Sequence, residues 1–246
     1  MKAATRIVDL SHVLYPGEEQ YKLEIAPQKE RSGPESILYE VSLWSHVGTH
    51  VEYALHFLPE GREISTLPLW RMVGQAVRVD LRDKNTNEPI DVDDFQQRAE
   101  IRKGDIVLTW TGRDVLYRTP KSHDRPYVTS RAAQWLADDR EISALGTDSS
   151  GFEVRDTEKL DPNHFTFLDR EDPIPIIECM ANLGELIHPR FFMVALPLRI
   201  VGLDAWPIRV LGIQAERKER NAALMETLSE ILSLDERQIQ GADAHA

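Results

Sequence analysis

Trp44-Ser-His-Val-Gly-Thr-His-Val-Glu-Tyr-Ala-Leu-His-Phe57 sets His46, His50, Glu52 and His56, three of the chain's eight histidines and one carboxylate, within eleven residues. A histidine pair four apart arises readily by chance, but the addition of Glu52 and His56 makes the cluster specific. Imidazole and carboxylate are the ligands that hold Zn²⁺ or Mn²⁺, and a site with about three protein ligands leaves a position open for a reactive water. Positions 46, 50, 52 and 56 are all even, so they point to one side wherever the chain is extended. One straight strand at roughly 3.3 Å per residue would leave His46 about 33 Å from His56, so the backbone must bend, and Gly48 permits the bend. Val47, Gly48, Thr49 and Val51 are poor helix formers, which favours a strand end running into a loop over a continuous helix. His46, His50 and Glu52 are therefore candidate ligands of a divalent metal. The plain alternative is three unrelated surface or core histidines.

The run His46-Val-Gly-Thr-His50-Val-Glu52-Tyr-Ala-Leu-His56-Phe57 resembles the signature His-x-Gly-Thr-His-x-Asp-x-Pro-x-His-Phe of the cyclase family of metal-dependent hydrolases, which includes bacterial kynurenine formamidase and isatin hydrolase. Glu52 stands where that family usually has Asp, and Ala54 where it usually has Pro. The similarity extends through Leu58-Pro-Glu-Gly61, Val73-Gly-Gln-Ala-Val-Arg-Val-Asp80, Lys103-Gly-Asp-Ile-Val-Leu108, Gly146-Thr-Asp148 and Ala195-Leu-Pro-Leu-Arg-Ile200, covering most of residues 5 to 213. The resemblance implies that a distant histidine and a glutamate complete the site, positions matched by His164 and Glu178, so that Glu52, His164 and Glu178 could hold a second ion. It also implies that Tyr15 contacts substrate, although Tyr15-Pro-Gly-Glu18 reads equally as a turn with a solvent-facing tyrosine.

Glu178 draws suspicion without any family. It ends the apolar run Ile176-Ile177, where a carboxylate is costly to bury unless paired or bound to a cation. His164 taken alone is an ordinary loop histidine. Cys179, the only cysteine, rules out an intrachain disulfide, fits a reducing compartment, and beside Ile177 and Met180 reads as a small core residue rather than a nucleophile.

A net charge of −12 and a sequence pI near 5.2 oppose binding to nucleic acid or an anionic membrane, which needs clustered Lys and Arg. The first residues carry no apolar leader segment, and no run approaches the roughly 20 apolar residues of a membrane span. The expectation is a cytoplasmic enzyme acting on a small molecule, assembled as a homo-oligomer, dimer or tetramer. With 246 residues the chain can bury one substantial core.

In chain order the pattern predicts strands over 6–10, 37–45, 75–81, 105–110, 142–147, 176–178, 191–200 and 208–213, with a loop over 20–35 and a turn at 202–204. Helices are predicted over 91–101, with an acidic first turn, and from Thr129 or Ser130 to about Asp138. This is α/β, a single domain with a mixed β-sheet core or a barrel-like β/β/α arrangement and peripheral helices. Residues 1–214 form the hydrolase-like domain. Residues 215–234 carry Leu224, Leu228, Ile231 and Leu232 at helical spacing, an amphipathic helix that packs on its own domain or forms a subunit contact, and the tail frays towards 246.

These parts imply a mechanism. A divalent ion, Zn²⁺ or Mn²⁺ and one or two in number, would lower the pKa of its water towards neutrality for attack on a carbonyl, and His56 would carry the proton to a departing amide nitrogen. The expected reaction is hydrolysis of an amide or lactam of a small cyclic or aromatic substrate. A non-hydrolytic cyclase or dehydratase using the metal as Lewis acid, and a metal-binding protein without catalysis, are the alternatives.

Overall fold

Val73–Asp80, Ile106–Trp110, Ala144–Thr147 and Ile176–Glu178 are short runs rich in apolar and β-branched side chains, and the last three are buried almost throughout. Such runs suit parallel strands covered on both faces, and these four lie side by side and parallel. The computed structural model describes residues 5–28, 36–154 and 163–231. Its strands, in chain order, are β1 (Thr5–Asp9), β2 (Leu23–Pro27), β3 (Tyr39–Leu43), β4 (His50–Glu52), β5 (Val73–Asp80), β6 (Pro89–Ile90), β7 (Ile106–Trp110), β8 (Tyr127–Val128), β9 (Ala144–Thr147), β10 (Ile176–Glu178), β11 (Arg190–Leu196), β12 (Ala205–Pro207) and β13 (Arg209–Ala215). The helices are α1 (Leu69–Met72), α2 (Val92–Arg98), α3 (Ser130–Gln134), α4 (Asn163–Leu168) and α5 (Lys218–Ile231).

Nine strands form one curled mixed sheet in the order β1-β13-β11-β5-β7-β9-β10-β4-β12. The expected single α/β domain with a mixed sheet and peripheral helices is the architecture found. Apolar side chains cover both faces: Val8, Leu10, Ile106, Leu108, Phe191 and Met193 contribute to one cluster, and Val77, Val79, Phe95, Val107, Leu136 and Phe167 to the other. Helix α2 starts as its sequence directs, with Asp91 accepting from the Val92 amide and Asp94 accepting from the Asp91 amide. Helix α3 starts at a Thr129 cap whose hydroxyl accepts from the Ala132 amide at 3.1 Å.

Two expectations need correction, and one strand was not foreseen. The loop predicted over 20–35 contains β2, which pairs with β3 as a separate two-stranded sheet; residues 29–35 lie outside the described residues. Glu24 and Pro27 obscured the alternation there, whereas pairing with Tyr39–Leu43 supplies the ladder. The strand predicted over 37–45 is shorter, Tyr39–Leu43, and it joins this hairpin rather than running directly into the site. The turn at 202–204 is followed at once by β12, a three-residue strand too short to announce itself.

Helix α5 lies against β5, β11 and β13 of its own sheet. The Asn221 side chain caps this contact by accepting from the Ala215 amide at 3.0 Å and donating to the Arg190 carbonyl at 2.9 Å. Met225 is buried and Ile231 is exposed; Leu232 and the tail lie outside the described residues.

Candidate metal centre

Strand β4 is short but held on both sides, by β10 and by β12, which fixes the heights of His50 and Glu52. Glu178 is directly opposite His50 across the antiparallel pair, so the two side chains share a face. Gly48 bends the chain into β4 with φ of 70°, and a Cβ there would lie 2.3 Å from Leu14 Cδ2. The left-handed φ favours glycine, and any Cβ would also have to push the tip of the Leu14 side chain aside. At the far end of β4 a 3₁₀ turn over Ala54–His56 folds His56 back towards Glu52. His164 arrives from the first turn of α4.

These elements converge on Glu52. Its Oε1 lies 3.2 Å from His46 Nε2, 3.4 Å from His50 Nε2 and 3.6 Å from His56 Nε2, while its Oε2 lies 3.2 Å from His164 Nε2. Glu178 closes the ring, with Oε1 at 3.9 Å from His164 Nε2 and Oε2 at 4.0 Å from His50 Nε2. Three of the imidazoles are held from behind through a hydrogen bond at Nδ1, His46 by the Ser45 hydroxyl at 3.0 Å, His50 by the Gly48 carbonyl at 2.8 Å and His56 by Asp204 Oδ2 at 3.1 Å, while His164 Nδ1 lies 2.8 Å from Glu153 Oε1 as an ion-pair contact. Metal-ligating histidines are oriented in this way.

The donor set fits a divalent cation. Two atoms each about 2.1 Å from one ion stand about 3.0–3.4 Å apart at coordination angles of 90–110°, which brackets the separations of His46, His50 and His164 from Glu52. Among the described residues, His46 Nε2 and Glu52 Oε2 are buried without a hydrogen-bond partner although each lies 3.2 Å from its neighbour, which leaves both atoms free for a cation. Among the described residues two His/Glu groupings have donor atoms close enough for one ion, His50 with Glu52 and Glu178, and His46 with Glu52 and His56. The electrostatics agree. Burial penalises the Glu52 carboxylate, but the close approach of the His164, His46 and His50 rings outweighs this and holds it well below the usual range. Burial, reinforced by the Glu52 charge, pushes Glu178 up. Two carboxylates so close and so deeply buried call for a cation between them.

The centre opens on a cavity of about 520 Å³ walled by Tyr21, Trp44 and Tyr117, with Arg125, His123 and Gln20 among its polar lining. Tyr117 is fixed by donating its hydroxyl to Glu19 at 2.7 Å and by stacking on His12 at 4.1 Å. The structure thus brings together His46, His50, Glu52, His56, His164 and Glu178. It places Tyr15 elsewhere, 46% exposed and outside the cavity lining, with the Arg118 guanidinium 4.9 Å from its ring centre. Cys179 is buried, as expected of a core residue, at the cavity wall. Asp204 was not legible beforehand: it is a lone aspartate in a turn, 148 residues from His56, and only pairing of β12 with β4 brings it near.

Known proteins resemble this chain in sequence and in fold. The family model Cyclase, described as "Putative cyclase", matches residues 8–154. Kynurenine formamidase from Salinibacter ruber is 28% identical over 208 residues, spanning 84% of this chain and 94% of the relative. A solved structure of a potential metal-dependent hydrolase with cyclase activity superposes with a TM-score of 0.71 at 30% identity, covering 85% of this chain and 98% of the other. Isatin hydrolase A from Labrenzia aggregata shares the fold with a TM-score of 0.71 at 21% identity, over 85% of this chain and 93% of its own.

Proposed function

The chain belongs to the Cyclase family, and on that premise we propose that it is a metal-dependent hydrolase cleaving an amide or lactam C–N bond of a small cyclic or aromatic substrate. The observation that carries this reading is the convergence of four imidazole Nε2 atoms and two buried carboxylates at the floor of an aromatic-walled cavity. His46, His50 and Glu52 would hold one divalent ion, and Glu52, His164 and Glu178 a second; mixed imidazole and carboxylate ligands suit Zn²⁺ or Mn²⁺. When bound, the ion supplies Lewis acidity and a nucleophilic water near neutral pH.

The protein's own groups do the rest. Trp44, Tyr21 and Tyr117 hold a flat substrate with its carbonyl over the floor. His56 accepts the proton of the attacking water as the C–O bond forms, and passes it to the nitrogen as the C–N bond breaks, so that the nitrogen leaves as a neutral amine. Among the four imidazoles His56 is the most accessible to solvent, its side chain 27% accessible against 20% for His46, 9% for His164 and 2% for His50. The exposed apolar residues Ile25, Tyr39 and Val41 of the β2–β3 hairpin support a homo-oligomer, and the single buried cysteine supports a cytoplasmic setting.

A panel of formanilides, small lactams and esters, incubated in ¹⁸O-water with zinc- or manganese-reconstituted protein, tests the assignment. Hydrolysis of an amide or lactam with ¹⁸O in the acid product is expected. Turnover without solvent oxygen, or no turnover by metal-loaded protein, would refute it.

A further inference from the structure

We propose that Asp204 is the positioning residue of His56, accepting the ring's Nδ1 proton and so presenting the bare Nε2 to the attacking water and the leaving nitrogen. This rests on the reading of His56 as the proton carrier. A neutral imidazole carries its one proton on either nitrogen, and the hydrogen bond made by one nitrogen decides the state of the other. Asp204 Oδ2 lies 3.1 Å from His56 Nδ1, while the opposite nitrogen, Nε2, faces Glu52 Oε1 at 3.6 Å. An ionised carboxylate only accepts, so the proton is directed to Nδ1 and the lone pair to the centre.

Both partners are pinned by backbone. The Asp204 carbonyl accepts from the Tyr53 amide at 2.9 Å, the Leu203 carbonyl accepts from the Ile64 amide at 2.9 Å, and Ala205 pairs with Glu52 in the sheet. The His56 amide donates to the Tyr53 carbonyl at 2.9 Å. Tyr53 therefore ties the aspartate and the histidine to one residue of the chain that carries Glu52. The ladder that sets the height of Glu52 also sets the distance between carboxylate and ring. Phe57 packs edge-on to His56, with ring centres 4.8 Å apart, which limits rotation of the imidazole.

Asp204 is not placed as a metal ligand. Its nearer oxygen is 3.8 Å from His46 Nε2 against 3.1 Å from His56 Nδ1, and neither of the two His/Glu groupings able to hold an ion includes it. The side chain can be changed without touching the backbone bond from Tyr53, so a purely structural role and a positioning role separate.

The test compares Asp204→Asn, Asp204→Glu, His56→Ala and the Asp204→Asn/His56→Ala double variant in the zinc-reconstituted protein. Three quantities are read: zinc content, steady-state kinetics on formanilide or the fastest amide or lactam of the panel, and the ¹⁵N resonances of His56 in wild type and the Asp204 single variants. The wild-type spectrum should show the proton on Nδ1, with a shift of that distribution in Asp204→Asn. Turnover of Asp204→Asn should fall roughly 10- to 100-fold with KM and zinc unchanged, less than the ~10²- to 10⁴-fold of removing His56 itself. Asp204→Glu should recover part of the loss, and in the His56→Ala background Asp204→Asn should cost nothing further. Full turnover of Asp204→Asn beside a slow His56→Ala would overturn the dyad while leaving the proton carrier intact. Loss of zinc from Asp204→Asn, or multiplicative losses in the double variant, would overturn it as well. Full turnover of His56→Ala would remove the proton carrier and with it the partner proposed here.

Discussion

His50 has almost no contact with solvent, at 2% exposure, and its Nδ1 proton is committed to the Gly48 carbonyl. That leaves Nε2, with its lone pair, aimed between Glu52 and Glu178. Burial would make such a ring give up a proton, yet the hydrogen bond and charge of Glu52, with Glu178 behind it, raise its proton affinity instead. In the proposed site His50 Nε2 would be a ligand of the divalent ion, which would take the place of that proton. Replacing His50 with Ala should therefore strip metal from the purified protein by elemental analysis while far-UV circular dichroism keeps its native shape; full metal content in the variant would make the motif structural. His56 should behave differently. His56→Ala should retain metal and lose roughly 10²- to 10⁴-fold in turnover, the usual worth of a positioned acid–base group. A bound imidazole has no free lone pair with which to take a proton, so loss of metal from this variant would move His56 among the ligands, as its approach to Glu52 and His46 would permit.

At the scale of elements, Asp91 shows how one side chain can join two helices. It caps α2 through the Val92 amide at 2.8 Å and reaches across to the start of α3, accepting from the Thr129 hydroxyl at 2.9 Å and from Arg131 at 2.7 Å. The Arg131 hydrogen bonds hold its pKa at about 2, below the ordinary 3.8. Because the folded value is depressed, the stabilisation is present above about pH 4 and is lost as pH falls from there towards 2. Asp91→Ala should cost about 1 kcal/mol near neutrality, as for other caps. The difference from wild type should shrink between pH 4 and 2 in urea titrations. A gap that stays constant down to pH 2 would mean that the charge contributes nothing.

These helices were legible because their caps are local: Asp91 and Thr129 stand beside the segments they start. The four-residue rhythm of the metal motif was equally legible, and Glu178 stood out as a carboxylate ending an apolar run. What depends on pairing between distant segments was not. Strand β2 carries Glu24 and ends at Pro27, and it is a strand only because β3 lies beside it. Asp204 looks like any turn aspartate until β12 docks on β4. Tyr15 was singled out by resemblance, whereas Tyr21, Trp44 and Tyr117 form the aromatic wall because Glu19 and the loop around Tyr117 pack together across nearly 100 residues.

Across the whole molecule the curled sheet is a frame that carries β4 and β10 at a fixed spacing, and one buried ion pair secures it far from the site. Arg190 at the start of β11 forks onto Asp105, just before β7, with Nη2 at 2.6 Å from Oδ1 and Nη1 at 2.9 Å from Oδ2. Their side chains are only 15% and 4% accessible. Asp105→Ala would leave the guanidinium with only the neutral Glu100 carbonyl and Gln75 Oε1 as partners and should cost about 3 kcal/mol. The expected signature is a lower urea midpoint with an unchanged slope; a midpoint within error of wild type would contradict it.

In the proposed centre Glu52 gathers the histidines around a divalent ion. An anomalous-scattering map of crystals of the zinc-reconstituted protein, collected on both sides of the zinc edge, tests it most directly. A peak is expected about 2.0–2.2 Å from His46 Nε2, His50 Nε2 and Glu52, and any second peak between Glu52, His164 and Glu178. A map with no peak at Glu52, or with its metal bound only by residues outside the cavity, would contradict it.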